Sequence, residues 1–157
     1  MFSDEDFANI CELGGATKRC NPLKIGRFGL GFCATYHLTD VPSFVSRNQL
    51  TIFDPHKQYI SDVMAGDSPG LCVDILEGRS DLQDFLSGHV AAYEDLFGCS
   101  LIRLGEEGFQ GTLFRFPFRT QELAERSEIS NKVIDQSNVE QLTTMLYDAA
   151  DLSLIHI

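Results

Sequence analysis

The chain has 157 residues, of which 43% are hydrophobic and 22% charged, a composition typical of one globular domain rather than a disordered segment. Its formal net charge of −11 argues against a nucleic-acid partner, because phosphate backbones attract basic surfaces. No apolar run reaches membrane length and the acidic N-terminus does not resemble a signal peptide. The sequence therefore predicts no membrane partner and a cytoplasmic protein whose five cysteines, without C-x-x-C pairing, are free thiols.

The first predicted element is a helix at the N-terminus. Ser3 is placed to cap a helix over residues 4–13, and Gly14–Gly15 end it. A polar segment, residues 14–25, follows. Because a capped helix opens so soon after Met1, we expect Met1 to be an internal residue of a longer protein.

The central part of the chain alternates between helical and extended patterns. The apolar run 32–38 predicts a buried helix. Residues 43–45 and 50–53 predict two strands joined at Arg47–Asn48, where Asn tolerates the left-handed conformation of a tight turn. A further short strand is predicted at 71–76.

The next two elements have clear periodicities. Apolar residues at three- and four-residue spacing predict an amphipathic helix over 82–97, closed by Gly98. The segment 111–119, "GTLFRFPFR", alternates between two faces and predicts a half-buried strand, with Pro117 placing it at a sheet edge or at its own end. Intermixed helices and hairpin-linked strands predict an α/β sandwich of two layers with a mixed sheet.

The C-terminal region is predicted to be a helical continuation, residues 121–151, after a main domain over residues 1–120. A capping box, Ser137-x-x-Glu140, opens its last helix. The final stretch "LSLIHI", residues 152–157, breaks the helical period and back-translates into the end of a common transposase sequencing adaptor. We expect those six residues to be sequencing read-through.

The glycine-rich stretch between these elements is the strongest functional signal. Gly26, Gly29 and Gly31 directly precede a helix, and bare backbone N–H groups beside a helix N-terminus favour an anion. The charged residues around the loop are all basic: Lys18, Arg19, Lys24 and Arg27. Phosphate binding is the favoured hypothesis, and a structural turn with solvated charges is the alternative.

Two well-known phosphate loops fit this stretch poorly. A Walker A loop requires a Gly-Lys pair, which the chain does not contain. The Rossmann fingerprint matches at Gly29 to Ala34, and Asp54 follows where a ribose-binding acid is expected. That fingerprint must follow a buried strand, whereas a polar segment with Pro22 precedes it here. A Rossmann oxidoreductase is therefore kept only as a further alternative.

A better match is the third motif of the GHKL ATPases, the superfamily of gyrase, the 90-kDa heat-shock chaperone, MutL and histidine kinases. Their G-x-x-G-x-G-[FL] motif is similar to the run Gly26, Arg27, Phe28, Gly29, Leu30, Gly31 and Phe32. The late Gly-Thr strand of that family resembles Gly111–Thr112. The resemblance implies a Bergerat-type fold, ATP with Mg as cofactor, and a nucleotide site that includes Lys24 and Thr112. It also implies a lid over residues 14–25 with Gly14 and Gly15 as hinges.

Four stretches, "PLKIGRFGLGF", "YHLTDVPSFVS", "IFDPHK" and "GTLFRFPFR", together resemble sacsin-like repeats, which are heat-shock-90-like domains. This resemblance implies a role in protein folding and quality control, with heat-shock chaperones or client proteins as partners. The early metal-binding Asn, catalytic Glu and Asp-x-Gly of GHKL enzymes have no counterpart here. We therefore predict no catalytic residues and no hydrolysis by this chain, and a nucleotide-independent interaction module is the main alternative.

The remaining candidate residues favour structural roles. His37 is predicted to be a structural residue on a buried helix, and Cys33 a partly buried small residue. Arg115 and Arg119 share a predicted strand face, where they would meet phosphate or an acidic partner, or remain surface charges. The sequence shows no metal-ligand spacing.

Overall fold

The computed structural model describes residues 30–64, 68–77, 88–100 and 107–154 of a chain that divides into two compact units, Met1–Pro117 and Phe118–Ile157. The described elements of the first unit are α1 (Leu30–Cys33), a 3₁₀ turn (Ala34–His37), β1 (Ser43–Arg47), β2 (Gln49–Phe53), a 3₁₀ turn (Ser61–Val63), β3 (Gly70–Asp74) and β4 (Phe109–Arg115). Those of the second unit are α2 (Gln121–Arg126) and α3 (Gln136–Leu154).

The described strands form an antiparallel sheet in the order β3-β2-β1-β4. β1 and β2 make the predicted hairpin, but Arg47, not Asn48, has the positive φ, at 57°. Ser46 pairs with Gln49, so the hairpin loop has two residues, and its first residue takes the left-handed conformation. The Asn48 side chain instead donates to Asp74 on β3, at 2.5 Å. Gly108 packs against this turn with φ 69°, where a Cβ would lie 2.5 Å from the Arg47 carbonyl carbon.

One face of the sheet carries the main apolar core. We call it the core face, and the register places on it Ser43, Val45, Leu50, Ile52, Leu113 and Arg115. Val73 on β3 pairs with Leu50 on the same face. Buried residues from other segments complete the cluster: Ile60, Ile75, Val90, Tyr93 and Cys99. Each fully buried aliphatic side chain contributes about 1.5–3 kcal/mol, so this cluster is a major source of stability among the described residues of the unit.

The helix predicted over 82–97 ends earlier than its periodicity indicates. Its described part is helical at residues 88–91, and the chain then turns, with positive φ at Asp95 and Phe97. The Asp95 N–H donates to the Cys99 carbonyl at 2.8 Å, which closes a turn instead of another helical turn. The prediction that the C-terminal half of this segment is helical is therefore wrong.

The second unit contains two capped helices. The Thr120 hydroxyl accepts from the Leu123 N–H at 3.3 Å and caps α2. At α3, the Asp135 carboxylate accepts from the Asn138 N–H at 2.9 Å, and the Asn138 side chain accepts in return from the Asp135 N–H at 3.3 Å. This reciprocal pair replaces the capping box predicted at Ser137.

The α/β class is confirmed, and β4 lies at an edge of the described sheet as Pro117 predicts. Every described strand pair is antiparallel, however. The described residues therefore form an antiparallel sheet and not the predicted mixed sheet. The predicted strand 111–119 is observed as Phe109–Arg115, ending before the proline. Among the described helices, none is both long and apolar enough to cross a membrane.

Candidate functional site

The predicted phosphate cradle lies mostly before the first described residue. The lid hinges and most of the loop fall outside the described part of the chain: Gly14, Gly15, Lys24, Gly26, Arg27, Phe28 and Gly29. The rest of the predicted set is described. Leu30, Gly31 and Phe32 belong to α1, and Thr112 lies in β4. The last glycine of the motif, Gly31, thus lies in the first turn of α1.

The helix after the loop is more exposed than predicted. α1 passes directly into a 3₁₀ turn, so the helical run is about two turns long. Only the side bearing Phe32 and Tyr36 meets other described aromatic rings. Cys33 and His37 are exposed, so the predictions of a buried helix, a partly buried Cys33 and a buried His37 are wrong.

A row of aromatic rings holds α1 against the sheet. We call it the aromatic row, in the order Tyr36, Phe32, Phe53, Phe44, Phe114 and Phe116. The Phe32 and Phe53 ring centroids are 4.9 Å apart, and those of Phe44 and Phe114 are 5.4 Å apart, both within the favourable range for aromatic pairs. Phe44 and Phe53 are buried, so the row fixes where α1 lies on the sheet.

Thr112 lies on the same sheet face as the aromatic row. In the β1–β4 register, Phe44 pairs with Phe114 and Ser46 pairs with Thr112, which places all four on the face opposite the core face. The Ser46 and Thr112 hydroxyls are hydrogen-bonded at 2.9 Å. Phe32, at the end of the glycine motif, therefore packs on the same sheet face that carries Thr112 of the Gly-Thr strand.

Asp54 has a structural role, not the ribose-binding one considered in the Rossmann alternative. It is 1% exposed, and its carboxylate accepts from the backbone N–H groups of Gln58 (3.1 Å), Tyr59 (2.7 Å) and Ile60 (3.0 Å). These bonds fold the segment after β2 back onto the sheet. An antiparallel hairpin is also unlike the parallel βαβ unit of a dinucleotide site, so the described residues do not support the Rossmann alternative.

Tyr36 and Tyr93 are expected to make the free energy of unfolding decrease in alkaline solution. Burial raises the pKa of Tyr36 to about 12, with smaller effects from Cys33 and Asp54, and burial also raises the pKa of Tyr93 to about 12. Unfolded phenols ionise near pH 10, so the stabilisation is complete below about pH 10 and is lost as the pH rises through 12.

Urea unfolding followed by circular dichroism across this pH range measures the effect. A double variant, Tyr36→Phe with Tyr93→Phe, should lose stability less steeply between pH 10 and 12 than the unmodified chain. Tyr147→Phe, at an exposed position, is the control. Equal slopes for the double variant and the unmodified chain would contradict the assignment.

The predicted pairing of Arg115 and Arg119 on one strand face is wrong. Arg115 ends β4, whereas Arg119 belongs to the second unit, where it is 1% exposed and donates to the Lys132 carbonyl at 3.3 Å. The Arg119 carbonyl accepts from the Ile134 N–H at 2.9 Å. Arg119 is therefore a buried structural residue. Among the described residues, no group of three His, Cys, Asp or Glu side chains is arranged to hold a metal.

Comparison with known proteins agrees with the four sequence stretches. The family model described as "Sacsin domain" matches residues 1–157. The chain belongs to the sacsin-domain family. It is also similar to human Sacsin, with 38% identity over 145 residues, which is 90% of this chain and 3% of that protein. The chain thus spans a small fraction of the length of this curated relative.

Sequence reasoning missed the residues that hold the site in place. Ser46, which is fully buried and bonds Thr112, carries no motif signal beyond its place in an alternating strand. Asp54 followed by Pro55 is typical of a turn, and that signal could have revealed its structural role. The hydrogen bond between Ser43 and Tyr93 joins residues fifty positions apart, a distance over which spacing indicates nothing.

Proposed function

We propose that this chain is the lid-and-cradle part of an ATP-binding, GHKL-type module in a sacsin-like chaperone regulator. The observation that supports this most is the common position of Phe32 and Thr112 on the sheet face that carries the aromatic row. In the GHKL family, the helix after the glycine loop and the Gly-Thr strand contact the two ends of one nucleotide. In this chain, both elements face the same side.

Two features of the described residues support the proposal of a purine nucleotide at that face. Thr112 is half-buried, and its hydroxyl oxygen, which is hydrogen-bonded to Ser46, has a lone pair that would accept from a purine amino group. Phe114 lies beside it with 41% of its surface exposed, as an aromatic surface for a base. The loop cations Lys24 and Arg27 and the backbone N–H groups of the glycines would hold the phosphates, together with Mg²⁺ in the longer protein.

This role is binding rather than hydrolysis. The chain contains no Asp-x-Gly sequence, the motif that reads adenine in GHKL enzymes, and no counterpart of their catalytic helix. In the longer protein, the same module would act in the cytoplasm on heat-shock chaperones or client proteins. Its nucleotide affinity as an isolated chain is expected to be weak.

Isothermal titration of Mg-ATP into the full chain tests this function. The double variant Gly29→Val with Gly31→Val should weaken ATP binding at least tenfold, because side chains would displace phosphate from the backbone. Gly88→Ala is the matched control, since an added Cβ there meets nothing within 4 Å. Undetectable binding by the unmodified chain, or equal affinity in the loop variant, would contradict the proposal.

A second candidate function is a nucleotide-independent interaction module. Exposed apolar residues on α3, namely Met145, Leu146 and Tyr147, favour it. This function predicts that the Gly29→Val, Gly31→Val variant still binds partner proteins, whereas Leu146→Asp weakens that binding.

A further inference from the structure

The hydroxyl proton of Ser46 has a defined direction in the structure. Ser46 on β1 is 0% exposed, and its hydroxyl oxygen lies 3.0 Å from the Gly111 carbonyl oxygen and 2.9 Å from the Thr112 hydroxyl oxygen. A carbonyl oxygen can only accept, and a serine side chain has a single proton to donate. Ser46 therefore donates to the Gly111 carbonyl.

The direction of this proton determines the role of the Thr112 hydroxyl. Because the Ser46 proton is used by the Gly111 carbonyl, the bond between the two hydroxyls forms when Thr112 donates and Ser46 accepts. The opposite direction would break the bond to Gly111, and buried polar groups favour the arrangement that satisfies more of them. The half-buried Thr112 side chain therefore presents oxygen lone pairs, and not a proton, to a ligand.

The stability of the sheet does not require this polar pair. Ser46 and Thr112 lie on the face that carries the aromatic row, where Phe44 and Phe114 are the next cross-strand pair on that face. Replacing both partners of a buried hydrogen bond by apolar groups of the same shape is often nearly neutral for stability. A hydroxyl whose proton has a fixed direction is useful, by contrast, where a site distinguishes ligands by their donors and acceptors.

We propose that Ser46 is a positioning residue that holds Thr112 as a hydrogen-bond acceptor, and that the pair thereby selects a 6-aminopurine over a 6-oxopurine. This inference rests on the proposed nucleotide function. A 6-amino group donates to the Thr112 oxygen, whereas a 6-oxo group brings a second acceptor to the same place. Two facing acceptors both lose a hydrogen bond, which lowers the affinity. Adenosine nucleotides therefore bind more tightly than inosine or guanosine nucleotides.

Amide NMR titrations of the full chain with Mg-ATP and with Mg-ITP test this selection, since inosine triphosphate has a 6-oxo group where ATP has a 6-amino group. The unmodified chain should bind ATP about fivefold more tightly than ITP, or better. In Ser46→Ala, the Thr112 hydroxyl is free to rotate and donate to the 6-oxo group, so the two affinities should become similar. Ser43→Ala is the matched control, because it removes a buried hydroxyl from the core face of the same strand and should leave the ratio unchanged.

The outcomes separate this inference from the proposed function. Saturable ATP binding with an equal affinity for ITP, or the same ratio in Ser46→Ala as in the unmodified chain, would overturn the inference alone. Undetectable binding of both nucleotides would overturn the inference and the function together. Hydroxyl-proton exchange in the nucleotide-free chain is a second test: the Thr112 hydroxyl proton should exchange with water more slowly in the unmodified chain than in Ser46→Ala. Equal exchange rates would overturn the assigned proton direction.

Discussion

Phe44→Ala is expected to lower the free energy of unfolding by about 3–5 kcal/mol, the largest effect of any single substitution considered. Phe44 is fully buried, and its ring lies between those of Phe53 and Phe114 in the aromatic row. Alanine would leave a cavity in the middle of that row. Because domains of this size are stable by about 5–15 kcal/mol, the loss would be a large fraction of the total.

Urea unfolding followed by circular dichroism measures this change. Phe97→Ala is the control, since the Phe97 ring is 89% exposed and its removal should change stability by less than about 0.5 kcal/mol. Similar unfolding midpoints for the two variants would show that the aromatic row does not hold the sheet and α1 together. Phe44→Ala should also weaken ATP binding, because Phe32 would lose its support through Phe53.

Asp54→Ala is expected to cost about 2–4 kcal/mol of unfolding free energy. The substitution leaves the backbone N–H groups of Gln58, Tyr59 and Ile60 without the carboxylate that accepts from them. Asp54→Asn should cost less, because one side-chain oxygen still accepts while the charge and the second oxygen are lost.

The matched control for this substitution is Asp62→Ala, which removes an exposed carboxylate from the nearby 3₁₀ turn. Its effect should stay within about 0.5 kcal/mol. Equal losses for Asp54→Ala and Asp62→Ala would contradict the role of Asp54 as the acceptor that folds this segment. A shift in nicotinamide-dinucleotide binding on replacing Asp54 would instead revive the ribose-binding hypothesis.

The strands could be predicted because their alternation reflects burial on two faces. The β1–β2 hairpin and the strand after Gly111 follow from that pattern alone. Within the hairpin, the left-handed residue was assigned to Asn48 on intrinsic preference. The structure puts it at Arg47, the first residue of the two-residue loop, while the Asn48 side chain bonds Asp74 on β3.

The helix predictions failed where long-range contacts override local preference. Residues 82–97 have helical periodicity, but the turn after residue 91 places Tyr93 in the core, where it bonds Ser43 on a distant strand. No local pattern encodes that contact. The helix at 32–38 was predicted to be buried from its composition, whereas two turns of helix present only the side bearing Phe32 to the sheet.

The candidate site was predicted as residue types but not as an arrangement. The resemblance to the GHKL motifs named Phe32 and Thr112, which lie eighty positions apart in the chain. Their common position on one sheet face depends on the β1–β4 pairing and on the stacking of Phe32 against Phe53. Both are tertiary contacts. The sequence therefore predicted which residues belong to the candidate site but not their relative positions.

The proposed nucleotide site is tested most directly by residue-resolved amide NMR of the full chain during titration with Mg-ATP. We expect Gly29, Gly31 and Thr112 to shift together along one saturable binding curve, because the glycine loop and the Gly-Thr strand contact one nucleotide. Saturable shifts confined to other residues, or no shifts at all at millimolar ATP, would contradict the proposed nucleotide site.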